Sequence, residues 1–518
     1  MTALSPRGSG DSATSGASAT STTEFRRHLG SLLGSRFGID TRGLAAFRVA
    51  LGLLVVGDLL FRARELRTFY TDWGVLPRSA LAELFPTLAT ASLHTVSGSV
   101  TGQAVLFTLA GGLAVLLAVG YRTRTVLVGV LLLHVSLYAR NPYVLNGGDG
   151  LLIVALFLGA FLPLGERYAV DADRRAREPR SREPRPHVTS LATATVLLQL
   201  VIVYVVNVPF KSQSDAWMAG NGVQYALELE QFSVFLGPSL TQYPALLTAV
   251  NWLWIGMMAA SPLLILSTGR LRTAAVAGFV AAHAGMIATL RLGLFPFIVI
   301  AFLLLYLPPS AWNRLETLSA VASRPAGAGV RARIPGPIVS IPRSMADDSP
   351  TEVPSAVRRG VRVAATVVLA IVLITSVAWP AAELGVGADS GADPVIEADG
   401  YVWTLFAPNT PTTTRWFVAP TTLESSERID AFRGGTLEWE KPPDAADTYP
   451  SALWLRYLVE LRFTNEREQR QLASHLCQRV QTEHGVEPTE VQVYTVEQQI
   501  PTAGGGEPKR TELAALTC

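Results

Sequence analysis

Nine apolar segments constrain this 518-residue chain more than any other feature. The third, fourth and eighth are short, so some of these are expected to be tilted or half-buried and not simple spans. A helix that crosses the hydrocarbon core of a bilayer needs about 20 mostly apolar residues. Charged residues make up only 16% of the chain, too few to cover the surface of a soluble protein of this size. We therefore predict an all-α polytopic membrane protein of about nine spans, at residues 43–61, 100–120, 125–138, 150–164, 189–209, 245–267, 273–290, 294–307 and 361–379.

Shifts in composition divide the chain into five parts. Residues 1–36 begin with a Ser/Thr/Ala/Gly-rich tract without the apolar core of a signal peptide, which we interpret as a disordered cytoplasmic leader. Residues 37–315 contain the first eight spans, residues 316–360 form a Pro- and Arg-rich linker, and residues 361–380 hold the ninth span. Residues 381–518 alternate short apolar runs with turn signals around a helical stretch, which predicts a small α+β domain.

The positions of arginine predict the orientation of the chain. Cytoplasmic loops are enriched in Arg and Lys, and the Arg-rich loops here follow the second, fourth, sixth and eighth spans. We therefore expect a multi-pass protein of the cell membrane with a cytoplasmic N-terminus and an extracytoplasmic C-terminal domain. That domain carries 21 acidic and 11 basic side chains, whereas the rest of the chain has a net charge of +12. Both cysteines, Cys477 and Cys518, lie in it, so one disulfide is permitted there.

Composition and motifs also exclude several classes of function. The overall formal charge of +2 gives no support for nucleic-acid binding, and two cysteines are too few for a zinc ribbon or an iron–sulfur cluster. The glycine-rich segments lack the following Lys–Ser/Thr of a phosphate-binding loop. We expect no bound metal, because no His/Cys cluster has ligand spacing. A metal shared by His134, His283 and Asp149 is a disfavoured alternative.

One lysine stands out among the basic residues. Of the 43 Lys and Arg residues only three are lysines, and Lys211 alone lies in the membrane body, at the outer end of the fifth span. Ionisable groups are costly in a membrane and therefore mark functional sites. Arginine cannot lose its proton in a protein, whereas a desolvated lysine can act as a neutral base. The alternative is an interfacial lysine that extends to the headgroups, a role that arginine would fill equally well.

Polar side chains recur near the predicted outer ends of three spans. Tyr204, Asn207 and Lys211 share one helix face because they are spaced by three and seven residues. The third and seventh spans each carry a histidine, and a loop with Asn and Asp beside two glycines follows the third. A lone histidine often only bridges two helices, but together these groups predict one outward-facing pocket. Its expected members are His134, Asn141, Asn146, Asp149, Tyr204, Lys211, His283 and Arg291.

Two charged residues of the first span are interpreted as structural. Arg48 lies near the inner end of the span, where its side chain can extend to the interface. Asp58 can pair with Arg62, four residues further along the helix.

Several motifs occur in an order and spacing that resemble one family. Residues 204–211 (YVVNVPFK), followed by Trp217 and Gly220, resemble a segment of the vitamin K-dependent gamma-carboxylase and of the wider HTTM (horizontally transferred transmembrane) family. His283 and residues 293–296 are similar to the family's His-bearing helix and the turn after it. Further similarities within residues 37–470 lie at residues 47–48, 70–77, 140–149, 162–165 and 403–408.

This resemblance implies an activity. Lys211 matches the lysine that deprotonates the reduced quinone, vitamin K or menaquinone, with oxygen and carbon dioxide as co-substrates and a glutamyl group as acceptor. His283 would orient the reactants or stabilise an oxyanion, and Trp217 would belong to the pocket. The chain departs from the carboxylase in having Phe210 before Lys211, where the carboxylase has a second lysine, and in its smaller outer domain. These departures bear on the identity of the acceptor more than on the chemistry at the quinol.

Three functions follow as hypotheses. The leading one is a quinol-dependent carboxylase or epoxidase, with membrane lipid, a quinone and an unidentified glutamyl acceptor or protein as partners. The second is a non-catalytic scaffold that keeps the fold and binds a partner, in which replacing Lys211 by arginine would be silent. The third, a transporter, would require paired repeats with broken helices, and the sequence contains no such repeat.

Overall fold

The computed structural model describes residues 30–178, 183, 185–322, 355–383, 406–408, 410–443 and 449–518. Most of the predicted leader and of the predicted linker lies outside these ranges, as do residues 384–405 of the predicted C-terminal domain. The leader residues that are described, 30–36, are helical.

Each of the nine predicted apolar segments is helical within the described residues. These helices are α1 Thr41–Ala63, α2 Val100–Val119, α3 Thr123–Arg140, α4 Gly147–Gly159, α5 Leu191–Ser212, α6 Pro244–Ala259, α7 Gly269–Thr289, α8 Phe295–Leu304 and α9 Ser355–Glu383.

The helices differ in whether they are long enough to span a membrane. In the described part of the chain, α1, α2, α5, α7 and α9 are long and apolar enough to cross. A sixth candidate combines α8 with Pro309–Ser319, which bends from it by 106°. The apolar helices α4 and α6 are shorter. Five or six of the nine predicted spans therefore have the length and hydropathy of a crossing helix.

Short elements connect the long helices. Asp40 caps α1 by accepting a 2.9 Å hydrogen bond from the Arg42 amide, and strand β1 Ile39–Asp40 pairs antiparallel with β2 His187–Val188. The connecting α-helices are Leu66–Tyr70, Arg78–Leu84, Pro86–Ala91, Val170–Ala176, Asp215–Met218, Gly222–Glu228, Gly237–Leu240, Leu263–Leu266 and Pro309–Ala322, and two 3₁₀ helices lie at Leu93–Val96 and Pro142–Val144.

Helix α1 lies at the centre of the membrane body. It approaches α2 closely at Gly52, where an added Cβ would lie 2.7 Å from the Ala114 oxygen, so a small residue is required there. On another face, the Phe47 ring packs 5.5 Å from Phe302 of α8. Helix α9 is peripheral and contacts α5, where Ser376 donates a 2.9 Å hydrogen bond to Gln199.

The predicted inner loops meet at one end of the bundle. Arg48 is only 1% exposed and donates hydrogen bonds to the carbonyl oxygens of Ala118 at 3.2 Å and Leu164 at 2.9 Å. Its side chain therefore does not extend to the interface as predicted. It is retained inside because carbonyl oxygens in the last turn of α2 and in the loop after α4, which lack helical partners, accept its guanidinium donors. At the same end, Arg42 pairs with Glu316 at 2.9 Å.

The C-terminal domain is α+β, as predicted. Its elements are β3 Thr413–Val418, β4 Pro420–Leu423, β5 Arg428–Asp430, β6 Gly435–Thr436, α10 Ala452–Leu461, α11 Glu466–Arg479, β7 Pro488–Gln499 and β8 Lys509–Thr517. The long central strand β7 pairs with β8 along one edge and with β3 and β4 along the other, all antiparallel. The Cys477–Cys518 disulfide joins α11 to the residue after β8, which confirms that the two cysteines can pair.

This domain packs on the end of the bundle where the predicted outer loops meet. The Phe69 ring lies 5.3 Å from Trp454 and 5.8 Å from Tyr457. His475 Nδ1 lies 3.1 Å from the Trp73 carbonyl oxygen. The grouping of loops into two ends thus agrees with the prediction, while the side of the membrane that each end faces stays a prediction.

Candidate functional site

A cavity of about 310 Å³ lies between α5, α6 and α7, near the end of the bundle that carries the C-terminal domain. Its walls are mostly apolar, and they include Leu247, Val250, Leu253, Met257, Met258, Met286 and Phe295. Four predicted site residues line it together, Tyr204, Lys211, Trp217 and His283. Asn207, from the same helix face as Tyr204 and Lys211, is also part of the wall.

Helix α5 presents three polar groups to this cavity. Its N-terminus is fixed by a capping box at Ser190. Pro209 lies inside the helix, yet Tyr204, Asn207 and Lys211 all reach the cavity as their spacing predicts. Asn207 donates a 2.8 Å hydrogen bond to the Val203 carbonyl oxygen. Lys211 is only 3% exposed, so its side chain is directed into the protein and not to the headgroup region.

Trp217 positions the lysine. The Lys211 Nζ lies 3.6 Å from the centre of the indole ring, where the negative face of the ring attracts the N–H groups of the lysine. The indole Nε1 donates a 2.7 Å hydrogen bond to the Phe406 carbonyl oxygen, and Asn251 donates one of 3.0 Å to the Trp217 carbonyl oxygen. The ring also lies directly against Gly222, where an added Cβ would be 2.3 Å from Cδ2.

His283 and Tyr204 each have a buried polar atom that lacks a hydrogen-bond partner within the described structure. His283 Nδ1 lies 2.8 Å from the Phe279 carbonyl oxygen. Because a carbonyl only accepts, Nδ1 carries the proton and Nε2 of the neutral ring is left as an acceptor. The Tyr204 hydroxyl is likewise buried without a partner. An unsatisfied buried group costs about 1–3 kcal/mol, so two in one cavity favour a ligand that supplies the missing partners.

Asp149, predicted for the same pocket, lies in a separate ionic network. Arg62 is its centre, donating to Asp58 at 2.9 Å, to Asp149 at 2.7 Å and to the Tyr70 hydroxyl at 2.8 Å. The predicted Asp58–Arg62 pair is thus confirmed. Arg456 of α10 donates to the other Asp149 oxygen at 3.0 Å. The network therefore joins α1 and α4 to the C-terminal domain.

His134, Asn141, Asn146 and Asp149 do not line the Lys211 cavity, although Asn146 lines a neighbouring cleft of about 260 Å³ together with Arg291. His134 Nε2 lies 3.5 Å from the Asp58 carboxylate, on the side of α3 that faces α1. Asn141 donates a 2.9 Å hydrogen bond to the Phe69 carbonyl oxygen, and Asn146 caps α4 through a reciprocal pair of hydrogen bonds with Asp149. The physical reason is the buried Arg62, which draws both aspartates away from the Lys211 cavity.

Arg291 lies in a second, larger cleft of about 1090 Å³ between the membrane body and the C-terminal domain. This cleft shares Leu227 and Leu290 with the Lys211 cavity. Two acidic residues line it: Glu230 pairs with Lys441 at 2.7 Å, and Glu228 accepts hydrogen bonds from Gln224 at 2.9 Å and from the Thr502 amide at 3.1 Å. Within the described structure, no ion pair links either of them to Arg291. The hydroxyl of Ser233, which also lines the cleft, is buried without a hydrogen-bond partner there.

Two site residues were missed by the sequence analysis although a signal was present. Phe406 lines the Lys211 cavity, and it belongs to the segment 403–408 that was recognised only as a family motif. Asn251 is a buried polar residue in the apolar helix α6, so the rule that polar groups inside a membrane mark sites would have found it. In the described part of the chain, no group of three or more His, Cys, Asp or Glu residues can hold a metal ion.

Comparison with known protein families gives one match. The family model of the HTTM domain matches residues 38–312, slightly more than half of the chain. The matched region contains α1 to α8 and, apart from Phe406, the residues that line the Lys211 cavity. No curated protein and no solved structure matches the chain significantly.

Proposed function

Because the chain belongs to the HTTM domain family, we propose that it is a carboxylase-like membrane enzyme that deprotonates and oxygenates a reduced quinone. The observation that carries the proposal is the convergence of Lys211, Tyr204 and His283 on one apolar cavity. Two of these residues have a buried polar atom without a partner in the described structure. Vitamin K quinol and menaquinol are the candidate substrates.

The cavity fits a quinol in shape and in chemistry. Ligand sites are mostly apolar with a few convergent polar groups, and this cavity has that composition. A quinol hydroxyl can donate to His283 Nε2, and the Tyr204 hydroxyl can donate to a quinone oxygen. The apolar side chains of α6 and α7 would contact the ring faces. A bound quinol would therefore give His283 Nε2 and the Tyr204 hydroxyl their hydrogen-bond partners without burying a further unpaired polar group.

Lys211 is proposed as the general base. Its amine would accept the proton of a quinol hydroxyl, a step for which a positioned base contributes about 10²–10⁴-fold in rate. Trp217 sets the position of the amine, and the apolar walls keep water from the reactive oxygen species. The overall reaction balances as quinol plus oxygen giving quinone epoxide plus water. With an acceptor, carbon dioxide adds at the carbon that loses a proton, and a carboxylate and a proton are additional products.

The Arg291 cleft is the proposed position of the acceptor. An arginine without an acidic partner suits a carboxylate, which it can bind through two parallel hydrogen bonds. The cleft adjoins the Lys211 cavity at Leu227 and Leu290, so an acceptor there would lie next to the bound quinol. A glutamyl side chain has the carboxylate and the acidic carbon that this arrangement requires.

We place this site at the extracytoplasmic side of the cell membrane. Support comes from the described parts of the Arg-rich loops after the second and fourth spans, which lie at the opposite end of the bundle from the C-terminal domain. This arrangement would put the N-terminus and the linker in the cytoplasm and the acidic domain outside.

The first experiment incubates purified protein with reduced menaquinone or vitamin K under oxygen and measures the epoxide by mass spectrometry. We expect epoxide from the native protein and a loss of about 100-fold or more in both Lys211→Ala and Lys211→Arg, since arginine cannot accept a proton. Lys509→Arg, in the C-terminal strand β8, is the matched control and should be as active as the native protein.

The alternative function is a non-catalytic scaffold. The observation that favours it is the contact of Lys211 with the Trp217 ring, because an arginine can occupy the same position over an indole. No epoxide from the native protein, or equal amounts from native protein and Lys211→Arg, would replace the enzymatic proposal with this one.

A further inference from the structure

We propose that the Lys211 cavity opens sideways towards lipid between α6 and α7, and that this opening holds the polyprenyl tail of a long-chain quinol. The inference rests on the proposed function and narrows its substrate to quinols with a tail. It concerns the outer half of the two helices, where residues of both line the cavity.

The α6 side of the opening is formed by residues that are both cavity wall and outer surface. Leu246, Val250 and Leu253 line the cavity, yet they are 49%, 39% and 62% exposed. A side chain that lines an internal cavity is normally covered by the next layer of the protein. Here nothing in the described structure covers these three, so the cavity reaches the surface between them.

On the α7 side, Gly285 leaves the opening free because it has no side chain. This glycine lines the cavity, is exposed, and would have no atom within 4 Å of an added Cβ. Helix α7 packs against α8, and α6 packs against α5 and Gly222–Glu228. Helices α6 and α7 therefore pack against different neighbouring helices, which leaves a gap between their outer halves.

Aromatic and methionine side chains close the gap further along the helices. The Trp254 ring of α6 lies 6.4 Å from Phe279 and 5.7 Å from His283, both on α7. Beyond it, the methyl group of Met257 comes within 3.6 Å of the position of a Cβ on Gly278. The gap is therefore an opening at one level of the bundle, beside Lys211, and not a slit along the whole helix.

The chemistry of the opening selects an apolar chain. Helix α6 contains no charged residue, and α7 has none after Arg272, so the mouth presents hydrocarbon to its surroundings. The polar residues Lys211, Tyr204 and His283 also line the cavity but are buried, whereas the residues at its mouth are exposed. A ligand with a polar ring and a long apolar tail matches this gradient, because the ring fills the cavity and the tail leaves through the opening.

The test compares a long-tailed menaquinone with tail-less menadione, using quenching of tryptophan fluorescence to measure binding to the purified full-length protein. Gly285→Phe places a ring in the mouth. We expect it to weaken binding of menaquinone at least 10-fold and to change binding of menadione less than 2-fold. Leu253→Phe, on the α6 side of the opening, should likewise weaken binding of menaquinone and leave binding of menadione nearly unchanged.

Gly256→Phe is the matched control, because Gly256 also has open space around it but does not line the cavity, and it should bind both quinones normally. If phenylalanine at positions 285 and 253 weakens both quinones equally, or neither, the lateral opening is contradicted while the quinol function stands. If the native protein binds neither quinone, both the tail site and the proposed function are overturned.

Discussion

At the scale of single residues, Trp217 is the group on which the geometry of the site depends. It holds Lys211 through the face of its ring and the C-terminal domain through Nε1. Trp217→Phe keeps a ring face but loses the hydrogen bond to Phe406, which should cost about 1 kcal/mol of stability. Trp217→Leu also removes the ring face that contacts the Lys211 amine, so it should cost more stability than Trp217→Phe. Thermal unfolding in detergent should therefore rank native, Phe and Leu in that order.

A substitution at Gly222 can be compared with the same ranking of unfolding temperatures. Gly222→Ala forces the indole away without removing either of its interacting groups, so it should resemble Trp217→Leu more than native protein. Equal unfolding temperatures for Trp217→Phe and Trp217→Leu would show that the ring face contributes nothing to the stability of the fold.

The predicted site residues that share the Lys211 cavity differ in one respect from those that lie outside it. Tyr204, Asn207 and Lys211 lie on one face of one helix, so their spacing alone brings them together. His134 and His283 are each a single histidine in an apolar helix, and spacing does not reveal which neighbouring helix either faces. His134 turns towards Asp58 because α3 packs against the helix that carries Arg62. Such a pairing between distant segments has no periodic signal in the chain.

At the scale of elements, the Arg62 network connects α1, α4 and α10. Arg62→Met would leave two buried aspartates without their central cation, which typically costs about 3–5 kcal/mol. Arg456→Met should cost less, because Asp149 keeps its 2.7 Å contact with Arg62. We expect the unfolding temperature to fall far more for Arg62→Met, and the C-terminal domain of Arg456→Met to become more sensitive to protease.

Arg467 supplies the control for this comparison. It pairs with Glu83 across the same interface, but both side chains are more than half exposed, so Arg467→Ala should change stability by about 0–1 kcal/mol. If Arg467→Ala and Arg62→Met destabilise the protein alike, the network is not what fastens the domain to the bundle.

The existence of the apolar helices could be predicted, but their ends could not. The predicted span 150–164 begins at Gly147, where the Asn146–Asp149 capping box starts α4, and the helix ends at Gly159, shortly before Pro163. The predicted span 245–267 is divided by the Ser261–Pro262 turn into α6 and Leu263–Leu266. Apolar composition continues through these breaks, because the loop residues are themselves apolar. Composition therefore overestimates how many helices are long enough to cross.

At the scale of the whole molecule, the C-terminal domain completes the candidate site instead of being an appendage. Phe406 forms part of the Lys211 cavity, and Lys441 and Pro501 line the Arg291 cleft. The acidic composition of residues 381–518 predicted a separate outer domain, but it gave no sign that the domain encloses the site. That closure depends on contacts between segments some 200 residues apart, such as Trp217 with Phe406.

The attachment of this domain should weaken in mild acid, and His475 is the residue responsible. Burial at the contact with Trp73 lowers the pKa of His475 from 6.5 to about 4. His475 therefore binds a proton near pH 6.5 in the unfolded chain, whereas in the folded protein it binds one only near pH 4. As the pH falls through this window the folded state loses up to about 3 kcal/mol, and below it no more is lost.

A variant isolates this contribution from other buried groups. Burial raises the pKa of Asp430 and Glu460, so these carboxyl groups favour the folded state as the pH falls and oppose the effect of His475. His475→Asn keeps an amide that can donate to the Trp73 carbonyl oxygen but does not titrate. The unfolding temperature of the native protein should therefore drop more steeply between pH 7 and pH 4.5 than that of His475→Asn. Parallel curves would mean that the interface admits a protonated His475 and that acid does not loosen the domain over the site.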